Sequence, residues 1–111
     1  MAMYEDSLTV NGPLLLISGQ VANLESGIPE TIDEQVDVVL DKIGAILKHN
    51  GTDVSKIAKM TFYLTDRAYI PALMERIKPF MNGTKPVMTL LIVAGLIDPA
   101  YKVEIEAFVS L

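Results

Sequence analysis

The run Val87-Met88-Thr89-Leu90-Leu91-Ile92-Val93 constrains this chain most, because both of its alternating faces are mostly apolar. A strand of that composition is normally buried on both sides. The other 104 residues offer only two segments with helical periodicity to cover it. In the first, Thr31-Ile32-Asp33-Glu34 has a capping-box pattern, with a Thr cap and a Glu three residues on. Ile32, Val36, Val39, Leu40, Ile43, Ile46 and Leu47 then recur at intervals of three and four, one apolar helical stripe. Asn50-Gly51 is a stop signal. The second helix is expected from Ile70 to Phe80, with Pro71 in its first turn. Leu73, Met74, Ile77, Phe80 and Met81 give it an apolar side, and Asn82-Gly83 closes it. Two helices cover one face of a sheet. The other face is left to a partner subunit, so the sequence predicts an oligomer without fixing its number.

The remaining strands follow from period-two alternation. Ser7–Val10 and Leu14–Val21 read as a hairpin about the turn residues Asn11-Gly12-Pro13. In Ile57–Leu64, Ala58, Met60, Phe62 and Leu64 face one way, and Ile57, Lys59, Thr61 and Tyr63 the other. In Lys102–Val109, Val103, Ile105, Ala107 and Val109 meet the helices, while Lys102, Glu104, Glu106 and Phe108 point away. The expected order is β-β-α-β-α-β-β, an α+β fold with two helices on one face of a mixed sheet. Residues 1–111 make a single domain.

Composition narrows the function. Half of the residues are hydrophobic, more than a small monomer readily hides. The apolar stretch Leu90–Leu96 is far too short to span a membrane. Met1–Asp6 has neither a basic nor an apolar leader region, so no signal peptide and a cytoplasmic location are expected. With no cysteine, disulfides, thiolate metal sites and cysteine catalysis are excluded. The net charge is −5 and the nine basic residues are dispersed, which argues against nucleic-acid binding.

Few residues suggest chemistry. Glu104 and Glu106, two apart on a strand, share a face at roughly 7 Å. Such a pair can do acid–base work, or simply form a solvated or subunit-paired face. His49, the single histidine, suits a helix C-terminus as a cation and has no cluster to make it a metal ligand. Ser18 has no histidine in sequence reach to activate it as a nucleophile. Met60, Met74, Met81 and Met88 read first as core filler. No metal site or cofactor is expected.

Ser18-Gly19-Gln20, Gln35, the run Gly51-Thr52-Asp53-Val54-Ser55-Lys56-Ile57-Ala58-Lys59-Met60-Thr61, Asp66 and the final Lys102-Val103-Glu104-Ile105-Glu106-Ala107 occur in an order that resembles the Rid family. These are the reactive intermediate deaminases, also called YjgF or L-PSP proteins. The resemblance covers about residues 4–109. It implies a chorismate-mutase-like fold and a homotrimer whose sheets line a central barrel, with small-molecule pockets between subunits. It also implies hydrolysis of an enamine or imine, with release of ammonia. A backbone amide, here that of Gly19 beside Ser18, and an arginine hold the substrate carboxylate. A glutamate, here Glu104, directs water or protons. A pocket tyrosine matches Tyr4, given one inserted residue in the Asn11-Gly12-Pro13 turn.

The chain departs from that pattern where the arginine belongs, which is Met88. A small polar or cysteine position becomes Leu90, and an asparagine position in the second helix becomes Met74. A thioether cannot pair with an anion, so activity on 2-aminoacrylate is expected to be weak or absent. Lys85 or Lys102 could supply a cation but lacks the guanidinium fork. Two readings follow: a deaminase of altered specificity that uses Glu104, and a non-catalytic homotrimer that binds a small, mostly apolar metabolite. An endoribonuclease role fits poorly with the acidic pI of about 4.7. A chorismate mutase would need more cationic groups for its dicarboxylate.

Overall fold

The computed structural model describes residues 3–111; Met1 and Ala2 of the opening run read for a leader lie outside the described residues. Four strands form one mixed sheet in the order β1-β4-β2-β3. They are β1 (Leu14–Gln20), β2 (Ile57–Leu64), β3 (Val87–Ile92) and β4 (Val103–Ser110). The helices are α1 (Ile32–His49) and α2 (Ile70–Met81). β4 is antiparallel to both β1 and β2, and β2 is parallel to β3.

The helix ends form as their residues dictate. The Thr31 hydroxyl accepts from the Glu34 N–H at 3.1 Å, the N-cap bond, and donates to the Glu34 carboxylate at 3.0 Å. Asn82 takes the left-handed conformation at the end of α2, with φ of 48°. Val36, Val39, Leu40, Ile43 and Leu47 of α1, with Leu73, Ile77 and Met81 of α2, are buried against the sheet. Full burial of such side chains is worth about 1.5–3 kcal/mol each. That exceeds the contribution of the exposed pairs from Arg76 to Asp33 and Asp37, at 3.2 and 2.9 Å, which add at most about 1 kcal/mol each. The apolar stripe therefore fixes the helices, and the ion pairs trim their mutual orientation.

From Lys59 onward, alternation in β2 and β4 places residues as expected. Ile57, expected on the outer face, instead pairs with Val109 and is buried in the core, because the β2–β4 register shifts between Ile57 and Lys59. Met60, Phe62 and Leu64 with Val103, Ile105, Ala107 and Val109 form the buried inner face. Lys59, Thr61, Tyr63, Glu104, Glu106 and Phe108 lie on the opposite, outer face, which no helix covers. Leu16 pairs with Phe108 there and is 64% exposed. Leu91 of β3 is exposed on the same face, in register with Tyr63.

The expected hairpin does not form. Ser7–Val10 has no regular structure, and β4 is the only strand paired with β1 among the described residues. The reason lies in where the N-terminal segment is anchored. The Glu5 N–H donates to the Pro86 carbonyl at 3.0 Å, beside the start of β3. The Pro13 carbonyl accepts from the Leu111 N–H at 3.0 Å, beside the start of β1. β1 and β3 are opposite edges of the sheet. Residues 6–12 must cross three strand spacings, about 14 Å, and cannot also run beside β1.

Among the described residues one polar side chain is fully buried. The Gln35 amide donates to the carbonyls of Pro29 and Ala100 at 2.8 Å each, and its oxygen accepts from the Lys102 N–H at 2.8 Å. It ties the start of α1 to the segment that leads into β4, with its polar atoms satisfied.

Candidate functional site

The residues singled out in the sequence separate into two groups on opposite faces of the sheet. Glu104 is on the outer face of β4, opposite Tyr63 of β2. Beside it, β1 carries an irregularity. Ile17 pairs with Ala107 and Gln20 with Ile105, so Ser18 and Gly19 together oppose the single residue Glu106. Such a bulge redirects the strand and its side chains. The Gln20 side-chain amide donates to the Ser18 carbonyl at 3.0 Å and stiffens it. The loop beyond is held by Lys42 of α1, whose ammonium donates to the carbonyls of Val21 and Asn23 at 2.9 and 3.1 Å.

At Gly19 the constraint is space rather than dihedral angle, and it is set by the Glu104 side chain. A Cβ at this position would lie 2.8 Å from Cδ and 3.0 Å from Cγ of Glu104, and would overlap its Oε2. The carboxylate is thus laid directly on the bulge. Its pKa is raised above the ordinary carboxylate value, mainly by burial and further by the nearby charge of Glu106. Glu106 has a partner of its own, because the Tyr63 hydroxyl donates to its carboxylate. That bond is the main cause of a raised Tyr63 pKa. Lys59, Thr61, Tyr63, Thr89, Glu106 and Phe108 surround a cleft of about 290 Å³ on this face.

The second group sits on the inner side, at the β3 edge. Met88 and Leu90 pair with Met60 and Phe62 in the parallel ladder, so they point to the helix side. With Met3, Tyr4, Phe62 and Met74 they line a depression of about 500 Å³. Tyr4 arrives there because the Glu5–Pro86 hydrogen bond fastens the N-terminal segment to β3. Its neighbours are aromatic, aliphatic or thioether, and no cationic side chain lines the depression among the described residues.

A single protomer therefore brings together Tyr4, Met74, Met88 and Leu90, and separately Ser18, Gly19 and Glu104, but not the two sets. Neither Tyr63 nor the role of Glu106 as its acceptor was singled out by sequence reasoning. The available signal was the i, i+2 glutamate pair on a strand facing an alternating strand with a tyrosine. The aspartates of the motif runs are structural. Asp53 and Asp66 accept from the N–H groups of Ser55 and Ala68 at 2.9 and 2.8 Å and cap two short 3-10 turns.

Comparison with known proteins identifies the family and the fold. The family model described as Endoribonuclease L-PSP matches residues 1–111. The chain is 31% identical over 111 residues to a protein named Reactive Intermediate Deaminase A, chloroplastic, of Arabidopsis thaliana. That match covers 97% of this chain and spans 58% of the relative's length. A RutC family protein of Sinorhizobium fredii is 34% identical, over 97% of this chain and 86% of its own. Among solved structures, a putative endoribonuclease of Thermotoga maritima superposes with a TM-score of 0.82 at 28% identity. It covers 92% of this chain and 82% of that one.

Proposed function

The chain belongs to the endoribonuclease L-PSP family, the Rid or YjgF family of the sequence resemblance, and on that premise we propose that it is a small-molecule hydrolase acting on C=N bonds of uncharged, apolar substrates. The observation that carries this reading is the Glu104 carboxyl group laid on the Gly19 bulge with its affinity for a proton raised. A carboxyl group so placed can exchange protons with an attacking water and a departing nitrogen. The Gly19 N–H serves as an oxygen-binding donor beside it.

The pocket in this proposal lies between subunits of a cytoplasmic homotrimer. One protomer contributes Ser18, Gly19 and Glu104 from its outer sheet face. A neighbour contributes Tyr4, Met74, Met88 and Leu90 from its β3 edge. Opposite faces of one sheet cannot touch the same small ligand, so a complete site takes two copies. Exposed Leu16, Phe108 and Leu91 supply apolar surface for that contact. Nucleic acid has no place in this reading, given the net charge of −5.

Met88, Leu90 and Met74 set the specificity. Their depression favours an aliphatic or aromatic substituent over a carboxylate, since a buried anion without a partner is costly. The same lining favours a second reading, in which the trimer binds a small, mostly apolar metabolite without turnover. Ammonia release from freshly generated imines separates the two. An uncharged aliphatic imine should be hydrolysed faster than 2-aminoacrylate, and Glu104→Ala should abolish the difference from buffer. Binding of the imine with no release above buffer by the unaltered protein would leave the non-catalytic reading.

A further inference from the structure

We propose that Tyr63 and Glu106 form a positioning pair for Glu104, fixing one negative charge beside it so that Glu104 serves as proton donor to the departing nitrogen. The two carboxylates share the outer face of β4 but have unequal surroundings. Tyr63 is the direct cross-strand neighbour of Glu104, yet its hydroxyl reaches diagonally to Glu106. Diagonal neighbours on a sheet face are within reach of an aromatic side chain. Glu106 is therefore held in place by the Tyr63 hydroxyl, and its charge acts on Glu104. Glu104 has no side-chain hydrogen bond among the described residues and is pressed onto Gly19. Two carboxyl groups whose environments differ in this way can take different roles, one a neighbour held in place and the other a proton carrier.

The other groups around Glu104 do not undo this division. β1 presents Ser18, Gly19 and Gln20, none of them charged. On β2, Tyr63 faces it directly, while Lys59 lies further along, in register with Phe108. Lys102, just before β4, and Glu106 on it flank Glu104 at two-residue spacing. Neither lysine forms an ion pair with Glu104 or Glu106 among the described residues. Burial and the charge of Glu106 both act in the same direction on Glu104, towards holding its proton.

The chemical use of the pair rests on the C=N hydrolysis proposed above. As water adds to the imine carbon, the C=N π electrons move to nitrogen, which takes the Glu104 proton. The attacking water returns a proton to Glu104. When the carbon–oxygen double bond forms and the carbon–nitrogen bond breaks, nitrogen leaves with a second proton relayed through Glu104 from the former water. One water and one imine give one carbonyl compound and ammonia. The charge of Glu106, held beside it by Tyr63, discourages Glu104 from releasing its proton to solvent before nitrogen can take it.

The test is a pH titration of the full chain labelled with carboxyl-13C glutamate, with the Glu104 resonance assigned by its loss in Glu104→Gln. The titration reads the pair whether or not the protein hydrolyses an imine, so its failure is distinct from failure of the proposed reaction. Glu106→Gln should move the Glu104 midpoint to lower pH. Tyr63→Phe should also lower it, and should add nothing in a Glu106→Gln background, because the phenol acts through Glu106. An unchanged midpoint in Glu106→Gln, or a Tyr63→Phe shift that persists in that background, would overturn the proposal. Should Glu106→Gln not fold, Tyr63→Phe alone decides, and an unmoved midpoint overturns the proposal.

Discussion

The Glu104 carboxyl group fills the space in which residue 19 would carry a side chain. Two residues far apart in sequence thus share one volume, and the bulge in β1 is what brings them to it. Adding a methyl group at Gly19 forces the carboxylate out or strains the bulge. The displaced atoms are the far end of a flexible side chain. Gly19→Ala should therefore lower stability by less than core overpacking does, which is about 1–3 kcal/mol. The loss is read in urea unfolding at one protein concentration, because the proposed homotrimer's stability would depend on it. In a Glu104→Ala background most of that cost should vanish. Equal costs in the two backgrounds would mean that Gly19 and Glu104 are not coupled.

The raised proton affinity of Glu104 has a sign that unfolding can read. The folded protein holds this proton more tightly than the unfolded chain does. Its contribution is fully present below the ordinary value of 4.5 and is lost as pH rises through the elevated native value. Above that range, an ionised Glu104 opposes folding through burial and the charge of Glu106. Glu104→Gln, which removes the charge and keeps the shape, should be more stable than the unaltered protein at neutral pH. The gain should shrink to nothing below pH 4.5. A gain that stays constant with pH would show that Glu104 titrates in the folded protein as in the unfolded chain.

Local chemistry made much of this fold legible. The Thr31 cap, the Asn82-Gly83 stop and the alternation of Lys59–Leu64 each depend on neighbours within four residues, and each formed as read. The failed hairpin shows the limit. Asn11-Gly12-Pro13 does turn the chain, with Gly12 at a φ of 90°, but a turn does not say which strand the incoming segment joins. That was decided by the Glu5–Pro86 contact across the sheet. Grouping Tyr4 with Met74, Met88 and Leu90 was accessible through the family pattern. Their separation from Glu104 was not, because which face Met88 takes follows from the β2–β3 register, a long-range property. The bulge at Ser18-Gly19 was hidden for the same reason.

Gln35 illustrates a residue whose pattern was visible and whose role was not. Its side chain satisfies two carbonyls and one N–H drawn from two separate segments, the loop before α1 and the stretch leading into β4. Gln35→Ala leaves those groups without partners in the interior, at about 1–3 kcal/mol for each buried group that water cannot reach. The loss should be at least about 2 kcal/mol in urea unfolding. Hydrogen exchange should quicken first at the Lys102 amide, which loses its acceptor. A loss under half that size, with the Lys102 amide still protected, would show that water replaces the side chain.

Met88 tests the pocket from the other direction. Its side chain faces Met74, Leu90, Phe62 and Tyr4, where the family pattern has an arginine. Met88→Arg restores a planar donor able to grip a carboxylate through two hydrogen bonds. A partly desolvated pair of this kind contributes about 2–5 kcal/mol to binding, a factor of roughly 30 to several thousand in affinity. Binding of a small 2-imino or 2-keto acid should strengthen within that range, and binding of an uncharged aliphatic ligand should weaken. The guanidinium also enters an apolar surround, so the variant should lose some stability, and a circular dichroism melt must accompany the titration. If the folded variant bound both ligands as the unaltered protein does, Met88 would not line the ligand site. The depression at the β3 edge would then be a packing feature rather than half of a pocket.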